Sequence, residues 1–248
     1  MSERPSVLVT GASRGIGRAI ALALAGSGFN LVLWARSSDD LQAVAEECRL
    51  LDANVQHASV DIGDAEAVAQ AAERTLPDNG TLRGAVLNAG AGVFTALRDL
   101  APDDWRAAIA TNLNGSFYVM RECIARMPSH DGALLVAISS DSALFPFPNR
   151  SAYSAAKSGV RALMESARLE LRADGIRISM IFPGRVDTYF KGSHATASPG
   201  TRRDALHADD VARVVSALFT FPDSVEIREV HMASMRSGFG PFTSRQER

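Results

Sequence analysis

What most constrains this chain is a rhythm: short, continuously apolar runs, each separated from the next by a helix-like segment. Runs at 6–10, 29–34, 55–60, 84–87, 133–138, 176–182 and 225–231 read as strands. Segments 15–27, 39–52, 64–76, 103–127, 151–173 and 209–221 read as helices; Asp64 is placed to cap the third and Pro102 opens the fourth. A strand with one wet face alternates apolar and polar residues. These runs do not alternate, as expected when both faces are covered. The pattern predicts an α/β fold, a doubly wound seven-stranded parallel sheet. The chain of 248 residues, 46% hydrophobic, is long enough to bury its core without staples and is read as one domain over 1–248. Residues 189–206 break the rhythm; an irregular stretch of that length is expected to form a substrate lid, at about 187–207.

Several function classes are disfavoured at once. The formal net charge is −2 and no Lys/Arg block occurs, so no nucleic-acid partner is expected. Cys48 and Cys123 lie far apart, and the five histidines form no paired motif, so neither a disulfide framework nor a metal site is expected. The longest uninterrupted apolar stretch, 19–25, is too short to span a bilayer, and the first residues do not read as a signal peptide. The expectation is a cytoplasmic protein with no membrane partner.

The first strand runs into Thr10-Gly11-Ala12-Ser13-Arg14-Gly15-Ile16-Gly17. Glycines at a strand-to-helix turn permit a tight turn (Gly11), close approach of a pyrophosphate (Gly15) and close helix packing (Gly17). The helix start then presents N–H groups and the positive end of its dipole to phosphates. The spacing is GxxxGxG, not the commoner GxGxxG. An acidic residue ending the second strand would bind a ribose 2′-hydroxyl and select NAD. Ala35 and Arg36 offer no carboxylate, and Arg36 with Arg14 suits a 2′-phosphate. The cofactor expected is therefore NADP(H).

Tyr153 and Lys157 are four apart near the start of a helix, so they share a face. An ordinary phenol, with a pKa of about 10, is a poor acid–base group near neutral pH. A nearby ammonium and a helix N-terminus both favour the phenolate. Ser140 follows the fifth strand and Asn88-Ala89-Gly90 follows the fourth, where α/β sheets form their sites. Asn112, a poor residue for a helix interior, is expected to hold a water or to bend its helix.

Gly11/Gly15/Gly17, Asn88-Ala89-Gly90, Asn112, Ser140, Tyr153 and Lys157 together resemble the short-chain dehydrogenase/reductase family, in its short single-domain branch. The resemblance runs from Val7 to about Val230. It implies a Rossmann-type three-layer α/β/α fold and an oxidoreductase moving hydride between NADP(H) and a carbonyl or secondary alcohol. It implies Tyr153 as the acid in reduction and Lys157 as the group that holds the nicotinamide ribose and lowers the tyrosine pKa. Ser140 would polarise the carbonyl, and Asn112 would keep a water in a relay reaching Lys157. The segment Pro183-Gly184-Arg185-Val186-Asp187-Thr188 would lie against the nicotinamide end, with Pro183, Gly184, Val186 and Thr188 touching the cofactor, and Asp61 would lie near the adenine. The chain departs from the family in having Leu87 before Asn88, and it lacks the paired glycine many relatives carry near the last strand. The resemblance also implies a homodimer or homotetramer through the helices at 103–127 and 151–173.

Leu144, Phe145, Pro146, Phe147, Pro148 and Phe94 are candidate pocket walls, with core or subunit contact as the equal alternative. Lys191, His194, Arg202 and Arg203 are lid charges, more simply read as solvated. Two other functions compete: an isomerase or dehydratase using a bound nicotinamide, and a non-catalytic NADP-sensing or partner-binding protein. The first usually goes with a longer chain, and the second would be favoured by loss of a catalytic residue, none of which is missing.

Overall fold

The computed structural model describes residues 4–78, 80–129, 132–145, 147–190 and 199–238. Seven parallel strands form one sheet: β1 (Ser6–Thr10), β2 (Asn30–Ala35), β3 (Val55–Ser59), β4 (Leu82–Leu87), β5 (Leu134–Ile138), β6 (Arg177–Pro183) and β7 (Glu229–Met232). Their order is β3-β2-β1-β4-β5-β6-β7. Helices α1 (Gly15–Gly26), α2 (Ser38–Arg49), α3 (Ala65–Thr75), α4 (Pro102–Ile109), α5 (Gly115–Ile124), α6 (Ser151–Leu171) and α7 (Ala208–Leu218) complete the layers. This is the Rossmann-type doubly wound sheet that the apolar rhythm predicts.

The burial along β1 explains why its run does not alternate. Val7 and Val9 pack with Ile20 and Leu24 of α1, Val44 of α2 and Val215 of α7. Leu8, on the other face, packs with Val68 of α3, Val119 of α5 and Met164 of α6. Both faces of the strand are core, so both sets of positions must be apolar. The order reverses direction between β1 and β4, and a crevice opens there beyond the strands' carboxyl ends.

Two elements differ from expectation. The helix expected over 103–127 is three pieces, because a π-helical turn, Ala110–Asn114, separates α4 from α5. At its centre the Asn112 amide donates to the Ala108 carbonyl (2.9 Å) and also to the Ala91 carbonyl (2.9 Å), outside the helix. The widened turn reconciles those two demands, and such turns collect at functional sites. The last strand begins at Glu229 rather than 225. Before it, side chains replace the ladder: Glu226 accepts from the Ile178 N–H (3.0 Å), and Ser179 donates to the Ile227 carbonyl (2.5 Å).

Candidate active site

The crevice is a cleft of about 740 Å³ at the switch point, reached by the ends of β1, β2, β4, β5 and β6. Its floor starts at the glycine turn. Gly11 and Gly15 take φ of +66° and +56°, the left-handed region that side-chain-bearing residues avoid. Gly17 is needed for a different reason: a Cβ there would lie 2.1 Å from the Gly11 carbonyl oxygen. Helix α1 then begins with no side-chain cap and no acidic residue in its first turn. The contrast with α3 is direct, since Asp64 takes the Glu66 and Ala67 N–H groups there (2.9 and 3.1 Å). The α1 start keeps its N–H groups and dipole available to an anion.

Ser13, Arg14, Gly15, Ile16, Arg36, Asp61, Asn88, Ala89, Gly90, Pro183, Gly184, Val186 and Thr188 all line this cleft with Gly11, while Gly17 sits behind the turn. The Arg14 guanidinium stacks on the Tyr189 ring, 4.5 Å from its centroid. Asn88 turns out to be a clasp: its Nδ2 donates to the carbonyls of Thr10 (2.9 Å) and Gly11 (3.3 Å). Thr10 completes it, its hydroxyl accepting from the N–H groups of Asn88 (3.0 Å) and Ala89 (3.1 Å). Thr10 did not stand out in the sequence, because a threonine ending a strand satisfies ordinary β propensity. Gly90 also has a structural cause, since a Cβ there would lie 2.7 Å from Asn112 Oδ1.

At the other end, α6 starts beside the end of β5. Tyr153 and Lys157 are buried, 7% and 5% exposed, on the face turned to Ser140. The Ser140 hydroxyl is the phenol's hydrogen-bonding neighbour and favours its ionised form. Lys157 Nζ donates to the Ile138 carbonyl (2.9 Å) and lies 5.9 Å from the Tyr153 ring centroid. Burial pushes the phenol up to about 12; the Ser140 hydrogen bond opposes this, Asp141 adds to it and Arg150 opposes it. Burial also lowers Lys157 to about 8. The expected downward pull of Lys157 on Tyr153 is thus outweighed in the protein alone: the ammonium is committed to a carbonyl, and desolvation of the phenolate dominates.

Asn112 is fully buried and braces the loop after β4, accepting from the Ala91 N–H (3.2 Å) as well as donating to its carbonyl. Asn112→Ala strands those Ala91 groups and the Ala108 carbonyl contact. The expected cost is about 2 kcal/mol, read as a lower urea midpoint; an unchanged midpoint would refute the brace.

Of the expected pocket walls, Phe94, Phe147 and Pro148 line the cleft. Leu144 and Phe145 line a separate cavity of about 80 Å³ behind it, and Pro146 lies outside the described residues. Leu144 also packs against the core, which turns it from the cleft. Phe190 was missed: its ring sits 5.8 Å from Tyr153 and 6.3 Å from Phe94, closing an aromatic cluster. Its signal was the aromatic pair Tyr189-Phe190 at the edge of the irregular stretch. Asp141 and Arg150 were missed as well. The Arg150 guanidinium lies 4.9 Å from the centroids of both Phe94 and Phe147 and donates to the Ser142 hydroxyl (3.1 Å). Of the lid charges, Arg202 lines the cleft, Arg203 does not, and Lys191 and His194 lie outside the described residues. The ends of that stretch are pinned, with the Asp187 N–H donating to the Leu206 carbonyl (2.8 Å) and Asp187 Oδ2 accepting from the N–H groups of Gly200 (2.8 Å) and Arg202 (2.9 Å).

No group of three or more His, Cys, Asp or Glu is placed to hold a metal among the described residues. Nor is any helix among them long and apolar enough to cross a membrane.

Known proteins share both the sequence and this architecture. A sepiapterin reductase of Chlorobaculum tepidum is 31% identical over 231 residues, 90% of this chain and 93% of that protein. A 3-oxoacyl-[acyl-carrier-protein] reductase of Aggregatibacter actinomycetemcomitans is 34% identical over 190 residues, 76% of this chain and 78% of that one. An alcohol dehydrogenase from the archaeon Thermococcus sibiricus, solved with 5-hydroxy-NADP, superposes with a TM-score of 0.86 at 32% identity, covering 94% of this chain and 97% of that one. The sequence model of the family described as short chain dehydrogenase matches residues 5–198, from β1 through the segment after β6. The glycine turn, Ser140, Tyr153 and Lys157 all fall within that match, and the chain belongs to the short-chain dehydrogenase family.

Proposed function

We propose that this protein is an NADPH-dependent carbonyl reductase, equally a secondary-alcohol dehydrogenase in the reverse direction, with Tyr153 as its acid–base group. The observation that carries the reading is the buried Tyr153, the third residue of α6, which lines the cleft together with Ser140 and Lys157.

The residues present fit a dinucleotide. The uncapped start of α1 and the glycine turn suit a pyrophosphate, and Arg14 and Arg36 at the end of β2 suit a 2′-phosphate. The nicotinamide group supplies hydride to the carbonyl carbon when bound. Tyr153 holds its proton throughout the neutral range, because burial raises the phenol, and gives that proton to the carbonyl oxygen. Ser140 aligns the phenol. Lys157, anchored on Ile138, places a positive charge beneath the site, where it favours developing negative charge. Pro183, Gly184, Val186 and Thr188 wall the site from the β6 side. Phe94, Phe147 and Phe190 exclude water and suit a carbonyl compound with an apolar body. Thr188, Tyr189, Phe190 and Arg202, from the described ends of the stretch at 187–207, border the site and are proposed as the flanks of a lid whose middle, 191–198, lies outside the described residues. The cytoplasm is the compartment proposed, with a homodimer or homotetramer through the α4–α5 and α6 region as the assembly.

The test follows nicotinamide absorbance with a panel of ketones, aldehydes, quinones and β-ketoacyl thioesters, NADPH and NADH in parallel. NADPH-selective turnover is expected; NADPH binding with no turnover would favour the non-catalytic alternative. Arg36→Ala removes charge-assisted contacts worth about 1.5–3 kcal/mol, so its Kd for NADPH should rise roughly ten- to a hundredfold while that for NADH changes little. Equal weakening of both would remove Arg36 from the cofactor choice.

A further inference from the structure

The single proton of the Ser140 hydroxyl is already engaged. A hydroxyl has one proton and two lone pairs. In this structure the Ser140 proton goes to Asp141 Oδ1 (3.0 Å), and the hydroxyl oxygen accepts from the Ser142 N–H (3.1 Å). The one Ser140 proton is therefore engaged, and it cannot go to a substrate carbonyl until the bond to Asp141 is broken or reversed.

We propose that Asp141 is a positioning residue that sets which way the Ser140 hydroxyl points, and so switches Ser140 between donor to Asp141 and donor to the substrate. With Asp141 ionised, its carboxylate accepts a charge-assisted hydrogen bond from the Ser140 hydroxyl, the stronger kind. With Asp141 protonated, the acid donates to Ser140, and the Ser140 proton turns outward to the carbonyl oxygen. No proton is gained or lost by Ser140 in the exchange; the only change of charge is at Asp141. This rests on the oxidoreductase reading above.

The surroundings make the switch accessible. Asp141 stands between the main cleft and the 80 Å³ cavity behind it, lining both. Burial raises its carboxyl, opposed by the hydrogen bond from Ser140, the Arg150 charge and the hydrogen bonds from Ser142. The charged and titratable groups around it are Arg150 before α6, Tyr153 and Lys157 on α6, Arg185 after β6, and His231 on β7. Arg185 is bonded to Asp204 (2.6 Å), and His231 reaches Glu229 (3.4 Å). The sign follows: a raised carboxyl is protonated below its shifted value, so reduction is favoured there and declines as pH rises through it.

Two readouts test this. The first needs no substrate: the Asp141 side-chain carboxyl is titrated by carbon-13 NMR, assigned by its absence in D141N. If Ser140 donates to the carboxylate, Ser140→Ala removes a bond that stabilises the charge and moves the Asp141 midpoint to higher pH. An unmoved midpoint overturns the proposal, whatever reaction the protein performs. The second is the pH profile of kcat/KM with NADPH and the best substrate of the panel. Wild type should fall at least fivefold on rising pH through the Asp141 midpoint. D141N, whose amide can donate to Ser140 but carries no charge, should lose that limb and stay near the acid plateau; D141A should lose it too. His231→Gln must leave the limb in place, since His231 lines the same small cavity as Asp141. A limb that survives in D141N sinks the proposal while leaving the oxidoreductase reading intact. A shifted midpoint without NADPH turnover of any substrate would keep the Ser140–Asp141 bond but overturn both its role and that reading.

Discussion

Tyr153→Phe should lower kcat/KM for carbonyl reduction by roughly 10²- to 10⁴-fold, the range a positioned proton donor contributes. The structure makes this an unusually clean substitution. The ring that remains still packs edge-on against Phe94 and Phe190, at 5.8 Å from each, so the wall of the cleft keeps its shape. The lost hydroxyl has Ser140 as its partner, and Ser140 keeps Asp141 and the Ser142 N–H. Stability should therefore stay within about 1 kcal/mol of wild type, the worth of one hydrogen bond. The NADPH Kd should barely move. Steady-state kinetics, a fluorescence titration with NADPH and a urea melt read the three quantities separately. If the variant keeps more than about a tenth of the activity, well outside the range for an acid–base group, the proton comes from elsewhere and Tyr153 is only a wall of the pocket.

Gly17→Ala should be strongly damaging for the addition of a single methyl group. On an open helix the same change would stabilise by about 1 kcal/mol, because alanine is the better helix former. Here the added Cβ would sit 2.1 Å from the Gly11 carbonyl oxygen and 2.6 Å from Asn88 Nδ2. Neither neighbour is a flexible chain end: one is backbone, and the other is held by the carbonyls of Thr10 and Gly11. Relief requires α1 to move off the turn or the Asn88 clasp to open. Overpacking of this kind costs about 3 kcal/mol or more, which for a domain of this size lowers Tm by roughly 6–12 °C. Since α1 and the turn form the phosphate cradle together, NADPH affinity should fall as well. A variant that melts with wild type and binds NADPH normally would show that the turn has slack the geometry denies.

The sequence alone determined whatever depends on short spacing. Seven apolar runs with helices between them have one economical solution, because strands buried on both faces must be covered on both sides and joined by crossovers. The glycines at 11, 15 and 17 were legible for the same reason, as were Tyr153 and Lys157: four residues on a helix always share a face, so their meeting needed no tertiary information. The extent of β7 was not legible, since the apolar residues before it are held by Glu226 and Ser179 side chains that reach across from the ladder. Poor helix propensity marked Asn112 as a place where the helix could bend, but not the π-turn itself, because its cause is Ala91, 21 residues away in the chain. The tertiary structure decided the electrostatics. Tyr153 beside Lys157 suggests a lowered phenol on paper, yet burial raises it and turns the lysine to Ile138. Only folding brings β5, the start of α6 and the segment after β6 to one point, where Phe190 and Arg150 wall the cleft and Asp141 accepts a hydrogen bond from Ser140. Those groups carry no motif, because what they do is set by the company the fold gives them and not by their neighbours in the chain.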